Sequence, residues 1–180
     1  MTTYVALLRG INVGGKNKVA MADLREFLAR LGLADAKTLL QSGNVVFRSE
    51  GKTAGALENF LEKETAARLG VAADYVVRSS AEWANVVSAN PFPDEAESDP
   101  SHLVVMFLKS APTPASVKTV QATIKGREVV KSHGSELYIA YPDGIGTSKL
   151  TGASIERQLG LRGTARNWNT VLKLLAFTQG

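Results

Sequence analysis

The 180-residue sequence predicts an α+β fold, and three observations support this class. Short segments rich in valine, leucine and tyrosine have the composition of buried strands. Longer segments place apolar residues at helical spacing, and several of them end at glycine, as amphipathic helices do. The same order of strands and helices then occurs twice along the chain. The composition, 44% hydrophobic and 21% charged, is ordinary for a folded globular protein.

The first half of the chain is predicted to form six elements in the order strand, helix, strand, strand, helix, strand. They are residues 4–10, 21–31, 36–41, 44–49, 57–69 and 73–78. The two central strands would form a hairpin that turns at Ser42 and Gly43. This order is that of a split βαβ, or ferredoxin-like, unit, in which helices cover a mixed or antiparallel sheet.

A second set of six elements is predicted beyond residue 100, in the same order. Its strands are expected at residues 102–109, 128–131, 136–141 and 163–166. Thr113 and Pro114 are typical of the N-cap and first residue of a helix, and the second helix is expected around Ile155. One further helix is predicted between the halves, capped by Ser79 and Glu82, and another at the end of the chain. The sequence therefore predicts two tandem ferredoxin-like units, without a visible residue-level repeat.

A proline-rich acidic segment is the best internal boundary. It carries Asp94, Glu95, Glu97 and Asp99 but no basic residue, which is typical of a solvated linker. We therefore predict a first half at residues 1–89, an acidic linker at 90–100 and a second half at 101–180. The two halves would be either separate or joined in one compact domain.

The strands that contain Val5 and Leu103 are apolar on both faces, which predicts that both faces are buried. A single ferredoxin-like unit covers only one face of its sheet with helices. The second face would therefore be covered by the other half of the chain or, alternatively, by a second copy in a homodimer.

The net charge of +4 and the pI of about 9.4 favour a polyanionic partner without requiring one. The absence of cysteine excludes disulfides and thiolate sites, and it favours a reducing, cytoplasmic compartment. The first apolar segment has no basic leader and is too short for a signal sequence or a membrane span. We therefore expect a cytoplasmic protein without a membrane partner.

The densest motif is LRGINVGGKNKV, at residues 8–19. Gly10 to Lys16 fit the G-x-x-x-x-G-K pattern of a phosphate-binding loop that follows a strand. However, Asn17 stands where Ser or Thr would bind magnesium, and helical periodicity begins only at Met21, so a Walker nucleotide site is not expected. Two interpretations stay open. The loop is either a nest of main-chain N–H groups that binds an anion, or a connection that only turns the chain.

The candidate ligand-binding residues combine glycines, positive charge and side-chain amides. They are Arg9, Gly10, Asn12, Gly14, Gly15, Lys16 and Lys18 in the loop, Gln41, Ser42 and Asn44 in the hairpin turn, and Arg166, Asn167 and Asn169 before the last helix. The last three would form a second wall of the site. Each polar group also has a structural interpretation, as a turn residue, a helix N-cap or a surface charge.

Five segments carry a resemblance to a known family. They are LRGINVGGKNKV, LQSGNVVF, NPFP, SKLT at residues 148–151, and RNWNTVLKL. Together, and in this order, they resemble the bacterial domain of unknown function 1697 family. The resemblance implies a two-part ferredoxin-like architecture and no established activity. The family's positions coincide with the candidate residues above and add Gly43 and Trp168, but they bring no proven role.

Other chemistry has little support. His102 and His133 have no carboxylates at ligand spacing, so we predict no metal site, and no motif predicts a cofactor. No G-x-S-x-G elbow points to a serine triad. An RNA-binding sheet of this type would stack bases on aromatic residues of its third strand, where only Phe47 is available.

We therefore predict a small protein that binds a nucleotide, a nucleic acid backbone or another anion through the glycine-rich loop. The first alternative is an enzyme of unassigned reaction, in which the loop orients an anionic substrate and amides of Gln41, Asn44 and Asn169 stabilise charge. The second alternative is a structural homo-oligomer.

Overall fold

Two four-stranded antiparallel sheets organise the fold, which confirms the predicted α+β class. The computed structural model describes all 180 residues. The chain divides into two compact units, unit 1 (Met1–Asn85 with Lys173–Gly180) and unit 2 (Val86–Leu172). Each contains one sheet.

Unit 1 begins with six elements in the predicted order. They are β1 (Thr2–Arg9), α1 (Met21–Arg30), β2 (Ala34–Leu39), β3 (Asn44–Ser49), α2 (Ala54–Leu69) and β4 (Asp74–Ser79). The strands lie in the order β2-β3-β1-β4, and all neighbours are antiparallel. Thr53 caps α2 by accepting a hydrogen bond from Ala56 N at 3.2 Å, and Gly70 ends the helix in the left-handed conformation. Tyr4, Leu8, Phe47 and other residues of one sheet face pack with α1 and α2 into an apolar core.

The helix α3 (Ser80–Ser88) follows β4, and its predicted capping box is present. Glu82 N donates to Ser79 Oγ at 3.2 Å, and Ser79 N donates to Glu82 Oε2 at 2.7 Å. The chain passes from unit 1 into unit 2 within this helix, after Asn85.

Residues 90–100, which were predicted as an acidic linker, include a short helix. The helix α4 (Pro93–Ser98) begins at proline and carries Asp94 and Glu95 in its first turn, where the helix dipole favours negative charge. The buried Phe92 fixes the start of this segment, and Lys131 Nζ lies 4.9 Å from the centroid of its ring. A 3₁₀ turn at Pro100–His102 then leads into the next strand.

Unit 2 repeats the order of six elements. They are β5 (Leu103–Leu108), α5 (Pro114–Ala122), β6 (Val129–His133), β7 (Glu136–Ala140), α6 (Gly152–Leu159) and β8 (Gly163–Asn167). The strands lie in the order β6-β7-β5-β8, which matches the order in unit 1. Thr113 caps α5 as predicted, and Thr151 and Ser154 form a capping box at the start of α6. The last helix, α7 (Trp168–Thr178), starts in unit 2 and passes into unit 1 at Lys173.

Both faces of β1 and β5 are buried, as their composition predicts. Val5 and Leu7 are fully buried, like their neighbours on the opposite face, and every residue of β5 is buried. None of the helices combines the length and the apolar character needed to cross a bilayer.

Candidate functional site

The glycine-rich loop between β1 and α1 is a small, ordered hairpin, which we call the basic hairpin (residues 10–19). Gly14 and Gly15 form its two-residue turn, with φ of 59° and 74°. Such a turn needs positive φ at both positions, which glycine adopts without strain. Lys16 N donates to Val13 O at 3.0 Å, and Asn12 N donates to Asn17 O at 3.1 Å. The two glycines therefore turn the chain.

Two asparagines hold the basic hairpin in place, and both have positive φ. Asn12 Nδ2 donates to Val19 O at 3.0 Å and to Gln41 O at 2.8 Å, while Asn12 Oδ1 accepts from Val19 N at 2.9 Å. Asn17 Nδ2 donates to Gly10 O at 2.9 Å. The Asn12 side chain thus joins the basic hairpin to the turn between β2 and β3.

These contacts decide how the loop could bind an anion. The main-chain N–H groups of Asn12, Lys16 and Val19 donate to partners inside the hairpin, so these three amides do not contribute to the predicted nest. The helix α1 begins only at Met21, so its first-turn N–H groups are not placed at Lys16 as in a phosphate-binding loop. Side-chain charge is therefore the main feature of this loop that an anion would meet.

The three basic residues around this loop differ in their environment. Arg9 NH1 lies 3.0 Å from Asp74 Oδ2, because β1 and β4 pair with Arg9 opposite Asp74. Lys16 and Lys18 are exposed and form no ion pair. The sequence shows no acidic neighbour for Arg9, and Asp74 becomes its partner only through strand pairing. The ion pair between Arg9 and Asp74 could have been predicted only from the pairing of β1 with β4.

The turn between β2 and β3 spans residues 40–43 and is longer than predicted. Gly43 has φ of +85°, and an added Cβ would lie 2.8 Å from Leu8 Cβ and from Ile11 Cδ1. Asn44 is fully buried, and its Nδ2 donates to Leu39 O at 2.7 Å and to Ser42 Oγ at 3.1 Å. A fully buried amide does not contact a ligand. Asn44 is therefore placed to stabilise the turn, and not to stabilise charge on a substrate as the enzyme alternative expects.

A shallow depression of about 370 Å³ lies between the two loops of unit 1. It is lined by Asn12, Gly15, Lys18, Val19, Ala20 and Gln41. Gln41 is exposed, and its main-chain oxygen accepts the bond from Asn12. The structure therefore brings four of the loop and turn candidates together around one concave surface, namely Asn12, Gly15, Lys18 and Gln41.

The other candidates belong to unit 2. Asn167 Oδ1 accepts from Thr170 N at 3.0 Å and so caps α7, as its structural interpretation expects. Arg166 NH1 donates to Thr164 Oγ1 at 2.6 Å and to Ala165 O at 2.9 Å, and burial lowers the pKa of Arg166 to about 10. Asn169 is exposed on α7. No group of three or more His, Asp or Glu side chains could hold a metal ion.

Comparison with known proteins assigns the family. The family described as "Protein of unknown function (DUF1697)" matches residues 1–138, and the chain belongs to it. The motifs SKLT and RNWNTVLKL lie beyond the matched residues. A solved structure described as that of the conserved bacterial protein SP0830 from Streptococcus pneumoniae is similar over 100% of this chain and 99% of its own. Its TM-score is 0.78 at 23% identity, which is a likeness of fold. No curated protein matches.

Proposed function

We propose that the basic hairpin binds a phosphate-bearing or other anionic ligand, such as a nucleotide or a nucleic acid backbone. The observation that carries this proposal is the placement of Lys16 and Lys18. Both are exposed and without an ion pair, on a hairpin that Asn12 and Asn17 hold in one conformation. An ordered loop loses little conformational freedom on binding, which favours a fixed charged surface over a mobile one.

The mode of recognition follows from the hydrogen bonds of the hairpin. Because three of its main-chain amides are already engaged, the ligand is held mainly by the two lysines and the exposed Gln41. Charge-dominated binding of this kind is weak for one small anion. It grows with the number of phosphates and falls steeply as salt increases. A polyanion is therefore the better ligand.

Two further parts of the proposal concern architecture and location. The strand order β2-β3-β1-β4 and its repeat in unit 2 support two tandem ferredoxin-like modules. The division into a first half at residues 1–89, a linker at 90–100 and a second half at 101–180 stays a prediction. The absence of cysteine supports a cytoplasmic location.

The proposal is tested by fluorescence anisotropy with a labelled oligonucleotide and with labelled ATP, each at low and at physiological salt. We expect oligonucleotide binding that is stronger than ATP binding and that weakens with salt. Lys16→Ala with Lys18→Ala should weaken oligonucleotide binding at low salt, and it should reduce the slope of log affinity against log salt by about 1 per lysine.

The matched control is Lys63→Ala with Lys118→Ala. It removes the same total charge from two exposed lysines, on α2 and on α5, that form no ion pair. It should leave the affinity close to that of the unmodified protein. Equal losses in both double variants would mean that only net charge matters, and absence of binding at low salt would reject the proposal outright.

A further inference from the structure

Unit 2 contains a pocket of about 380 Å³ on the helix-covered face of its sheet. Its floor is formed by buried apolar side chains of β5, β7, α6 and the segment between β7 and α6, and the exposed Ile145 also lines it. The floor residues are Val104, Met106, Ile139, Tyr141, Leu150 and Ile155. The volume falls within the range of sites that hold small organic ligands, which are concave and mostly apolar.

The pocket extends over the last strand of the sheet. Ala165 pairs with Met106 and Asn167 pairs with Val104, so these residues of β8 share the face of the pocket floor. Arg166 pairs with Val105, and its side chain therefore lies on the opposite face. Ala165 is exposed even though it lies over an apolar core. No side chain of this unit fills the space above it.

Two residues of the pocket lining, Gly152 and Asn167, offer hydrogen-bond donors. Gly152 is the first residue of α6, so its N–H has no acceptor within the helix. Asn167 uses its Oδ1 to cap α7, which leaves its side-chain NH₂ to donate. No acidic side chain lines the pocket. Donors without acidic neighbours are complementary to an acceptor group such as a carboxylate.

We infer that unit 2 binds a small amphiphilic molecule in this pocket, with its apolar body on the floor and a carboxylate-like group toward Gly152 and Asn167. This site is separate from the basic hairpin and does not depend on the function proposed for it. It differs in chemistry as well, because its affinity would come from burial of apolar surface and would change little with salt.

The test uses anilinonaphthalene sulfonate as a fluorescent probe and octanoate as a competitor, both with the full chain. The probe has an apolar body and one anionic group. We expect saturable fluorescence enhancement that octanoate displaces. Ala165→Leu fills the space above Met106 and should weaken probe binding about tenfold or more. Ala67→Leu, at an exposed alanine of α2 in unit 1, is the matched control and should leave binding unchanged.

Two measurements keep the result clear. The double variant Lys16→Ala, Lys18→Ala should bind the probe as the unmodified protein does. Weaker probe binding by this variant would show that the sulfonate binds the basic hairpin and would count against the pocket. Amide chemical shifts of the unmodified protein on addition of octanoate should change around Ala165, Gly152 and Ile155, which locates the site even if a variant folds poorly. Equal binding by both leucine variants, or shift changes away from these residues, would overturn the inference.

Discussion

The two units arrange four strands in the same order but cover the last strand differently. In unit 1 the second helix, α2, has 16 residues, whereas its counterpart in unit 2, α6, has 8. Glu58 and Glu62 of α2 accept hydrogen bonds from Val77 N and Tyr75 N of the edge strand β4, each at 2.9 Å. In the corresponding strand β8, Gly163 N, in the first residue, donates one such bond to Glu156 Oε1 of α6 at 3.1 Å.

The two units thus differ in the helix that packs on the last strand, although their strand order is the same. The longer helix places Thr65 beside the buried hydroxyl of Tyr75, with 2.8 Å between the two oxygens. The shorter helix begins at Gly152, and this residue lines the pocket together with Ala165. Four predictions test the comparison, from the largest expected effect to the smallest.

The largest effect is expected at high pH, where a buried tyrosine of each unit is affected. Burial raises the pKa of Tyr75 and of Tyr141 from 10.0 to about 12. Between pH 10 and pH 12 these tyrosines lose their protons in the unfolded chain before they do so in the folded protein. The free energy of unfolding therefore falls as pH rises through this range, and the full stability is present only below pH 10. Each tyrosine should lower the free energy of unfolding by about 2 kcal/mol at pH 12, and the two together by about 4 kcal/mol.

Urea unfolding as a function of pH measures this loss, and phenylalanine variants assign it to single tyrosines. Tyr75→Phe should remove the share of Tyr75, together with the bond to Thr65. Tyr141→Phe should remove the share of Tyr141, together with its 2.9 Å hydrogen bond to Leu150 O. Burial also raises the pKa of Tyr138 in unit 2, so part of the pH dependence should remain in both variants. A variant that loses as much stability at high pH as the unmodified protein would contradict the assignment to that tyrosine.

Next in size is the replacement of a tightly packed glycine in each unit. Gly43→Ala combines a positive φ with contacts of 2.8 Å to side chains of β1 and the basic hairpin, and it should cost about 3 kcal/mol. Gly163→Ala would place Cβ 2.7 Å from Phe107 O without unfavourable φ, and it should cost about 2 kcal/mol.

Gly55→Ala is the control for both glycine variants. Gly55 lies in α2 with nothing within 4 Å of an added Cβ, so alanine there should stabilise the helix by about 0.5 kcal/mol. Urea unfolding monitored by circular dichroism gives all three values. If Gly163→Ala proves more damaging than Gly43→Ala, backbone conformation matters less in the turn than its φ suggests.

Most elements of the fold could be predicted because their signals are local. Apolar strand segments, helical spacing and N-caps such as Thr113 are patterns among residues close in sequence. The structure confirms the elements that these patterns predict. The helix α4 was missed because the prolines and acidic residues of segment 90–100 resemble a linker. Its start is fixed by the distant contact between Phe92 and Lys131, which no local pattern shows.

The candidate site was harder to predict, for a related reason. The sequence identifies Lys16 and Lys18 as charged and Gly14 and Gly15 as turn-forming, and the structure agrees with both. The sequence does not indicate that the Asn12 side chain accepts a bond from Val19 N and binds Gln41 O, because these hydrogen bonds form only when the chain is folded. The pocket of unit 2 cannot be predicted from the sequence either, since its lining residues come from several strands, a helix and a loop that meet only in the fold.

A smaller effect is expected when the glutamate that supports each edge strand is removed. Glu62→Ala and Glu156→Ala should each lower the free energy of unfolding by about 1 kcal/mol, because one backbone N–H loses its acceptor. Hydrogen exchange should accelerate locally, at Tyr75 N–H in the first variant and at Gly163 N–H in the second. The corresponding glutamine variants keep an acceptor oxygen and should show smaller changes. Unchanged exchange at these amides would mean that water replaces the carboxylate without cost.

The smallest effect on stability is expected for Asp74→Asn, which tests the basic hairpin. The ion pair with Arg9 is partly exposed, so its loss should cost less than about 1 kcal/mol. The same change removes the negative charge beside Arg9. Oligonucleotide affinity at low salt should therefore rise by about threefold, and the slope of log affinity against log salt should become steeper by about 1.

The control is Glu97→Gln, at an exposed acidic residue of α4. It makes the same change in net charge and should raise oligonucleotide affinity less. If the two variants bind equally well, the local charge around Lys16 and Lys18 does not direct binding, and the contrast between a charged loop in unit 1 and an apolar pocket in unit 2 loses its functional meaning.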